Sequence, residues 1–116
     1  PAKFVFDDDS RRGAAIDSMV SGGCVVSGST LRRTMLFSGV YIHSYSVIED
    51  SIVLPNVRIG RNCILKKCII DKQCVIPEGT QVGLDPVADR KRFHVTASGI
   101  TLISRSMLGQ DIHPAQ

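Results

Sequence analysis

The 116-residue chain has no tryptophan, and two tyrosines and four phenylalanines bring its aromatic content to only 5%. Its core must therefore be aliphatic, and a hydrophobic fraction of 43% leaves ample Val, Ile and Leu to fill one. No Asn-Gly or Asp-Gly pair occurs anywhere, so the commonest hairpin turn is missing and a sandwich of hairpin-linked strands is disfavoured. Cys24, Cys63, Cys68 and Cys74 include no C-x-x-C pair, so neither a zinc site nor a disulfide framework is expected. A reducing cytoplasm is the expected compartment. No apolar run is long enough to span a membrane, and none has the form of a signal segment. The chain opens at Pro1 rather than Met, and an excised piece of a longer protein is the simplest expectation. A net charge of +3 is mild, and the aromatics are not interleaved with the basic residues, so no nucleic-acid partner is expected.

What the chain does contain is a repeat. Written as 24–39, 40–56, 57–73 and 74–83, the central stretch lines up on a 17-residue period, with one residue missing between Thr30 and Leu31. Val26, Ile42, Ile59 and Ile76 superpose, as do Leu31, Ile48, Leu65 and Val82, and also Leu36, Val53 and Ile70. Steps of five or six residues separate these columns, too long for one face of an α-helix and broken by Gly, Pro and Ser. Three aliphatic columns per turn are the hexapeptide signature of an all-β fold, a left-handed parallel β-helix in which one short strand forms each side of a prism. Two further columns hold small residues suited to tight corners: Thr30, Ser46, Cys63 and Thr80, then Thr34, Ser51 and Cys68.

The flanks read as entry and exit. Residues 1–22 form an entering arm and a first partial coil, 23–83 the β-helix coils, and 84–116 a capping helix, a short strand and a tail. In the arm, Phe4 to Phe6 are expected to pair with the body, Asp7 to Asp9 to be solvated, and Ile16 and Val20 to begin the inward columns. Asp85 before Pro86 is an N-cap signal, predicting a helix over 86–93 that closes the open end of the prism. GITLIS (99–104) alternates like a strand, and RSMLGQDIHPAQ (105–116) reads as a frayed tail.

No catalytic constellation is visible. His43, His94 and His113 are scattered, and His43 falls in a coil position that is Gly60 and Pro77 in later rows. Because hexapeptide acyltransferases use a coil-edge histidine as general base, a stand-alone acyltransferase module is the alternative function. The charges are more informative in their columns. Arg32-Arg33, Glu49-Asp50 and Lys66-Lys67 superpose, and Arg61 falls on Glu78, forming a ladder worth little per exposed pair. Arg58, Lys72, the run Arg90 to Arg92, and Arg105 are left over. A cation without a structural partner, such as Lys72, is a candidate anion ligand.

Residues 1–29, residues 35–83 with the run IIDKQCVIPEG (69–79), and the SGI and SRSML elements near the end resemble the C-terminal β-helix domain of bacterial ADP-glucose pyrophosphorylases, or glucose-1-phosphate adenylyltransferases. The resemblance implies a parent enzyme that joins ATP and glucose 1-phosphate into ADP-glucose and pyrophosphate for glycogen synthesis. It also implies a preceding catalytic domain with a Gly-rich loop and Mg²⁺-binding acids. No G-x-G-T-R-like loop occurs in this chain, which should be inactive alone and need no cofactor of its own. The implied partners are that catalytic domain, further copies in a homotetramer, and phosphorylated metabolite effectors, with no membrane. Carried over residue by residue, the resemblance makes Lys72 and Arg105 effector phosphate ligands. Some members carry Arg where this chain has Gly39 and Gly109.

Overall fold

The computed structural model describes residues 1–5 and 13–110. Strands β1 (Lys3–Val5), β4 (Val25–Ser27), β7 (Tyr41–Ile42), β10 (Arg58–Ile59) and β13 (Val75–Ile76) stack in parallel as one face of a prism. The second face is β2 (Ala14–Ile16), β5 (Thr30–Arg32), β8 (Val47–Glu49), β11 (Ile64–Lys66) and β14 (Gln81–Val82). The third is β3 (Met19–Val20), β6 (Met35–Leu36), β9 (Ile52–Val53), β12 (Cys68–Ile70) and β16 (Thr101–Ile103), with β15 (His94–Val95) antiparallel at its edge. Among the described residues no helix is long and apolar enough to cross a membrane.

The aliphatic columns superpose as the sequence predicts. Ile42 pairs with Val26 and Ile59, and Ile59 pairs in turn with Ile76; all four side chains are sealed from solvent. Leu31, Ile48, Leu65 and Val82 form the second column, and Leu36, Val53 and Ile70 the third, which Ile103 extends by one row. Each interior row gains its burial from the rows on either side, so stability is built by stacking.

Short strands require sharp corners, and each corner has a left-handed residue. One column of these is Gly23, Gly39, Asn56 and Gln73, a second is Gly28, Tyr45, Asn62 and Gly79, and a third is Asp17, Arg33, Asp50 and Lys67. The Gly, Asn and Asp members suit this backbone by their own chemistry, whereas Tyr45, Arg33, Lys67 and Gln73 do not announce it in the sequence.

The structure corrects the register at one corner. Val26 pairs with Ile42 but Thr30 pairs with Val47, so the missing residue falls in the corner at Gly28 and not between Thr30 and Leu31. Ser29, not Thr30, therefore stands in line with Ser46 and Cys63. These side chains do more than fit: the Ser46 N–H donates to Ser29 Oγ at 3.0 Å, Ser46 Oγ donates to the Gly60 carbonyl at 2.8 Å, and the Cys63 N–H donates to Ser46 Oγ at 3.0 Å. A corner hydroxyl thus joins one row to the next inside the prism, where an unpaired donor would be costly.

Both ends also differ from expectation. The entering arm supplies one strand to each face, which makes a whole first row, and Phe4 pairs with Val26 as expected. Ile16 is 40% exposed, because Ala15 is the residue in line with Leu31 and its neighbour must point outward. Val20 does pack against the core. The expectations for Phe6, Asp7 to Asp9 and His113 lie outside the described residues.

Helix α1 (Pro86–Arg92) forms where Asp85 predicts it, with Asp85 Oδ1 accepting from the N–H groups of Val87 at 3.0 Å and Ala88 at 3.3 Å. Of its own side chains only Asp89 is buried, and its carboxylate accepts the Gly83 N–H at 2.9 Å. Phe93, just past the helix, is the residue of this segment that joins the core. Residues 104–110 are not a loose tail: Leu108 packs against the core, and Gln110 binds both the N–H and the carbonyl of Val75, at 2.9 and 2.7 Å. Its side-chain amide occupies the free edge of β13 as a further strand would.

Candidate anion-binding corner

Lys72 and Arg105 are far apart in sequence and share one corner of the prism. Ile70 pairs with Ile103, and the Asp71 N–H donates to the Ile103 carbonyl at 2.8 Å, so the chain leaves β12 and β16 in step. Lys72 and Arg105 each follow two residues later, on neighbouring rows. The Lys72 side chain is exposed, and its ammonium has no hydrogen bond or ion pair among the described residues. Its backbone N–H donates to the Asp71 carboxylate at 2.8 Å.

Arg105 is half-buried and oriented. Its Nη1 donates to Gln73 Oε1 at 2.9 Å, leaving the other guanidinium N–H groups free for an acceptor. The turn that carries it is closed by the Gln110 N–H donating to the Arg105 carbonyl at 2.7 Å and by the Leu108 N–H donating to the same oxygen at 3.1 Å. Ser104 and Ser106 place their hydroxyls 3.1 Å apart on either side of it. A point charge beside a planar fork is the donor set that grips a phosphate group.

Among the described residues, five charges of the ladder form ion pairs. Glu49 lies 3.7 Å from Arg32 and 3.5 Å from Lys66, and Arg33 meets Asp50 at 2.6 Å, as the ladder predicts. The hydrogen bond from Arg33 holds the Asp50 carboxyl below its ordinary range. Arg61 and Glu78 form no ion pair among the described residues; Arg61 instead lies 5.3 Å from the centre of the Tyr45 ring. Arg58 stands 5.7 Å from the centre of the Tyr41 ring, so folding brings together basic and aromatic side chains that the sequence keeps apart. His43 is exposed beside Tyr41, with ring centres 4.6 Å apart. Among the described residues no three His, Cys, Asp or Glu side chains converge, so none of them fits a metal ion.

All four cysteines are free and buried in the corner columns. Burial pushes the Cys68 thiol up to about 12 and the Cys74 thiol up to about 11, from an ordinary 9.0. Folding thus holds protons that the unfolded chain releases above pH 9.0, so this contribution is complete below that pH and is lost as pH rises towards the folded values. A thiol reagent at pH 8 is expected to label none of the four until denaturant unfolds the chain, and the denaturation midpoint is expected to fall between pH 8 and pH 10.5. Prompt labelling of the native chain would contradict this burial.

Stacked 17-residue coils with one strand per face define a hexapeptide-repeat β-solenoid, here with a cationic corner at its C-terminal end. The chain belongs to the GlmU-like C-terminal hexapeptide family, whose profile matches residues 1–103. It is 62% identical over 113 residues to a glucose-1-phosphate adenylyltransferase of Nitrosospira multiformis, covering 97% of this chain and 27% of that protein. It is 63% identical to the enzyme of the same name from Nitrosomonas europaea, covering 97% and 26%, and 59% identical to that of Dechloromonas aromatica, covering 95% and 25%. The chain thus spans about a quarter of the length of the curated relatives it matches.

Gln73 and Gln110 escape the sequence reading. Gln73 sits where earlier rows hold Gly23, Gly39 and Asn56, and that departure was its only visible signal. Nothing in the local sequence connects Gln110 with Val75.

Proposed function

We propose that this chain is the regulatory and oligomerisation domain of a nucleotidyltransferase that makes ADP-glucose and pyrophosphate from ATP and glucose 1-phosphate in glycogen synthesis. The observation that carries the regulatory part is the placement, on neighbouring rows of one corner, of Lys72, whose ammonium has no partner among the described residues, and the oriented Arg105. The name shared by relatives 59% to 63% identical to it supports the parent activity. On this reading the catalytic groups and the Mg²⁺ ligands belong to the remainder of a cytoplasmic parent enzyme, and this chain alone turns over no substrate. The parent is a homotetramer, and a phosphorylated metabolite bound at Lys72 and Arg105 activates it from the side of this domain. The acyltransferase alternative gains no support, since the ring packed beside His43 is that of Tyr41 and no carboxylate is paired with the imidazole among the described residues.

An effector acts at a distance only by binding the active arrangement more tightly, a coupling of about 1 to 3 kcal/mol. Lys72→Ala in the full-length enzyme is therefore expected to raise the activator concentration for half-maximal stimulation while leaving unstimulated turnover nearly unchanged. An activation curve beside the unmodified enzyme measures both. A curve left in place, or loss of basal turnover as well, would remove Lys72 from the effector site.

A further inference from the structure

Gln73 has a backbone that does not favour glutamine. It shares its column with Gly23 (φ 77), Gly39 (φ 72) and Asn56 (φ 61), and adopts the same left-handed turn at φ 62. Gly and Asn enter this region readily, whereas a longer side chain is strained there. The corner's main-chain bond is from the Gln73 N–H to the Pro55 carbonyl at 3.0 Å, which any residue but proline could make. The main chain therefore gives no reason for glutamine. Its side chain does: among the described residues its one hydrogen bond accepts from Arg105 Nη1 at 2.9 Å. Strain retained where the side chain serves only a candidate ligand points from geometry to function.

We propose that Gln73 is a positioning residue of the anion site, holding the Arg105 guanidinium beside Lys72 before a phosphate group arrives. The inference rests on the reading of Lys72 and Arg105 as phosphate ligands. A free arginine samples many rotamers, and an anion that binds it must offset the loss of that freedom. Gln73 removes most of the cost in advance. The carboxylate of Asp71 lies on the same corner, so an Arg105 released from Gln73 could turn towards that competing acceptor.

The discriminating variant is Gln73→Asn. Asparagine suits the left-handed backbone, as Asn56 does one row below, but its amide is one methylene too short to reach Arg105. Inorganic phosphate is titrated into the 116-residue chain by calorimetry at constant ionic strength, with thermal unfolding of the same samples. Gln73→Asn is expected to melt no lower than the unmodified chain and to bind phosphate about three- to tenfold more weakly, the usual effect of one lost hydrogen bond. In an Arg105→Ala background the same substitution is expected to change binding no further. If Gln73→Asn lowers the melting temperature and leaves binding intact, Gln73 serves the fold and the proposal is overturned. Phosphate binding that Lys72→Ala weakens but Gln73→Asn leaves untouched overturns the role of Gln73 alone. If the unmodified chain binds phosphate no better than Lys72→Ala, the anion site fails and this inference with it.

Discussion

Ile59→Asp is expected to leave the chain unfolded in native buffer. Ile59 is 0% exposed, with Ile42 on the row before it and Ile76 on the row after. An aspartate there places a carboxylate in an aliphatic column with no donor to receive it, and burying such a group without a partner is among the most damaging single changes known. The expected loss of more than about 4 kcal/mol is comparable to the whole stability of a small domain. Neighbouring rows fail with it, since each interior row buries its face only against the next. Circular dichroism and a denaturant titration measure the effect. Ile59→Val, which keeps the column apolar, should cost only about 0.5 to 1.5 kcal/mol and so separates loss of volume from burial of charge. An Ile59→Asp chain that melts like the original would show that this column is not the core.

Phe93→Ala is expected to have the next largest effect, about 3 to 5 kcal/mol. Phe93 is 6% exposed at the end of the prism and is the one aromatic in the buried core among the described residues. Phe93 immediately precedes β15, which runs antiparallel to β16, so its loss removes core packing next to the last row of the third face. In a stacked architecture the damage should remain local. Hydrogen exchange is expected to accelerate in β14 and β16 while β5 and β8 stay protected. Because Arg105 follows β16 by two residues, phosphate binding should weaken in the same variant. Uniform loss of protection along the chain would mean that the coils unfold as one unit.

Much of this was legible before folding. Every aliphatic column used in these arguments can be read from the 17-residue period, because each inward position must be filled by a residue that tolerates complete burial. The helix cap at Asp85 was equally plain, since an N-cap acts over two or three residues. Lys72 stood out because the ladder of Arg33, Asp50 and their neighbours accounted for the other corner charges. Arg105 was left over from the ladder in the same way, and the resemblance picked it out from the other leftover cations as a ligand.

The periodic sequence by itself determined the parallel solenoid, its core, and the absence of partners for Lys72 within the repeat. The tertiary structure alone decided the ends and the site. A shift of one residue at Gly28 changes which side chain forms the Ser29 to Ser46 rung, and a period cannot say where in a corner its missing residue lies. Ile16 faces outward because pairing with β5, and not hydrophobicity, sets the direction of its side chain. Gln73 meets Arg105, and Gln110 meets Val75, only after the insertion at α1 has returned the chain to the third face. Such contacts depend on where a non-repeating segment rejoins the stack, a property of packing in three dimensions to which local propensity is blind.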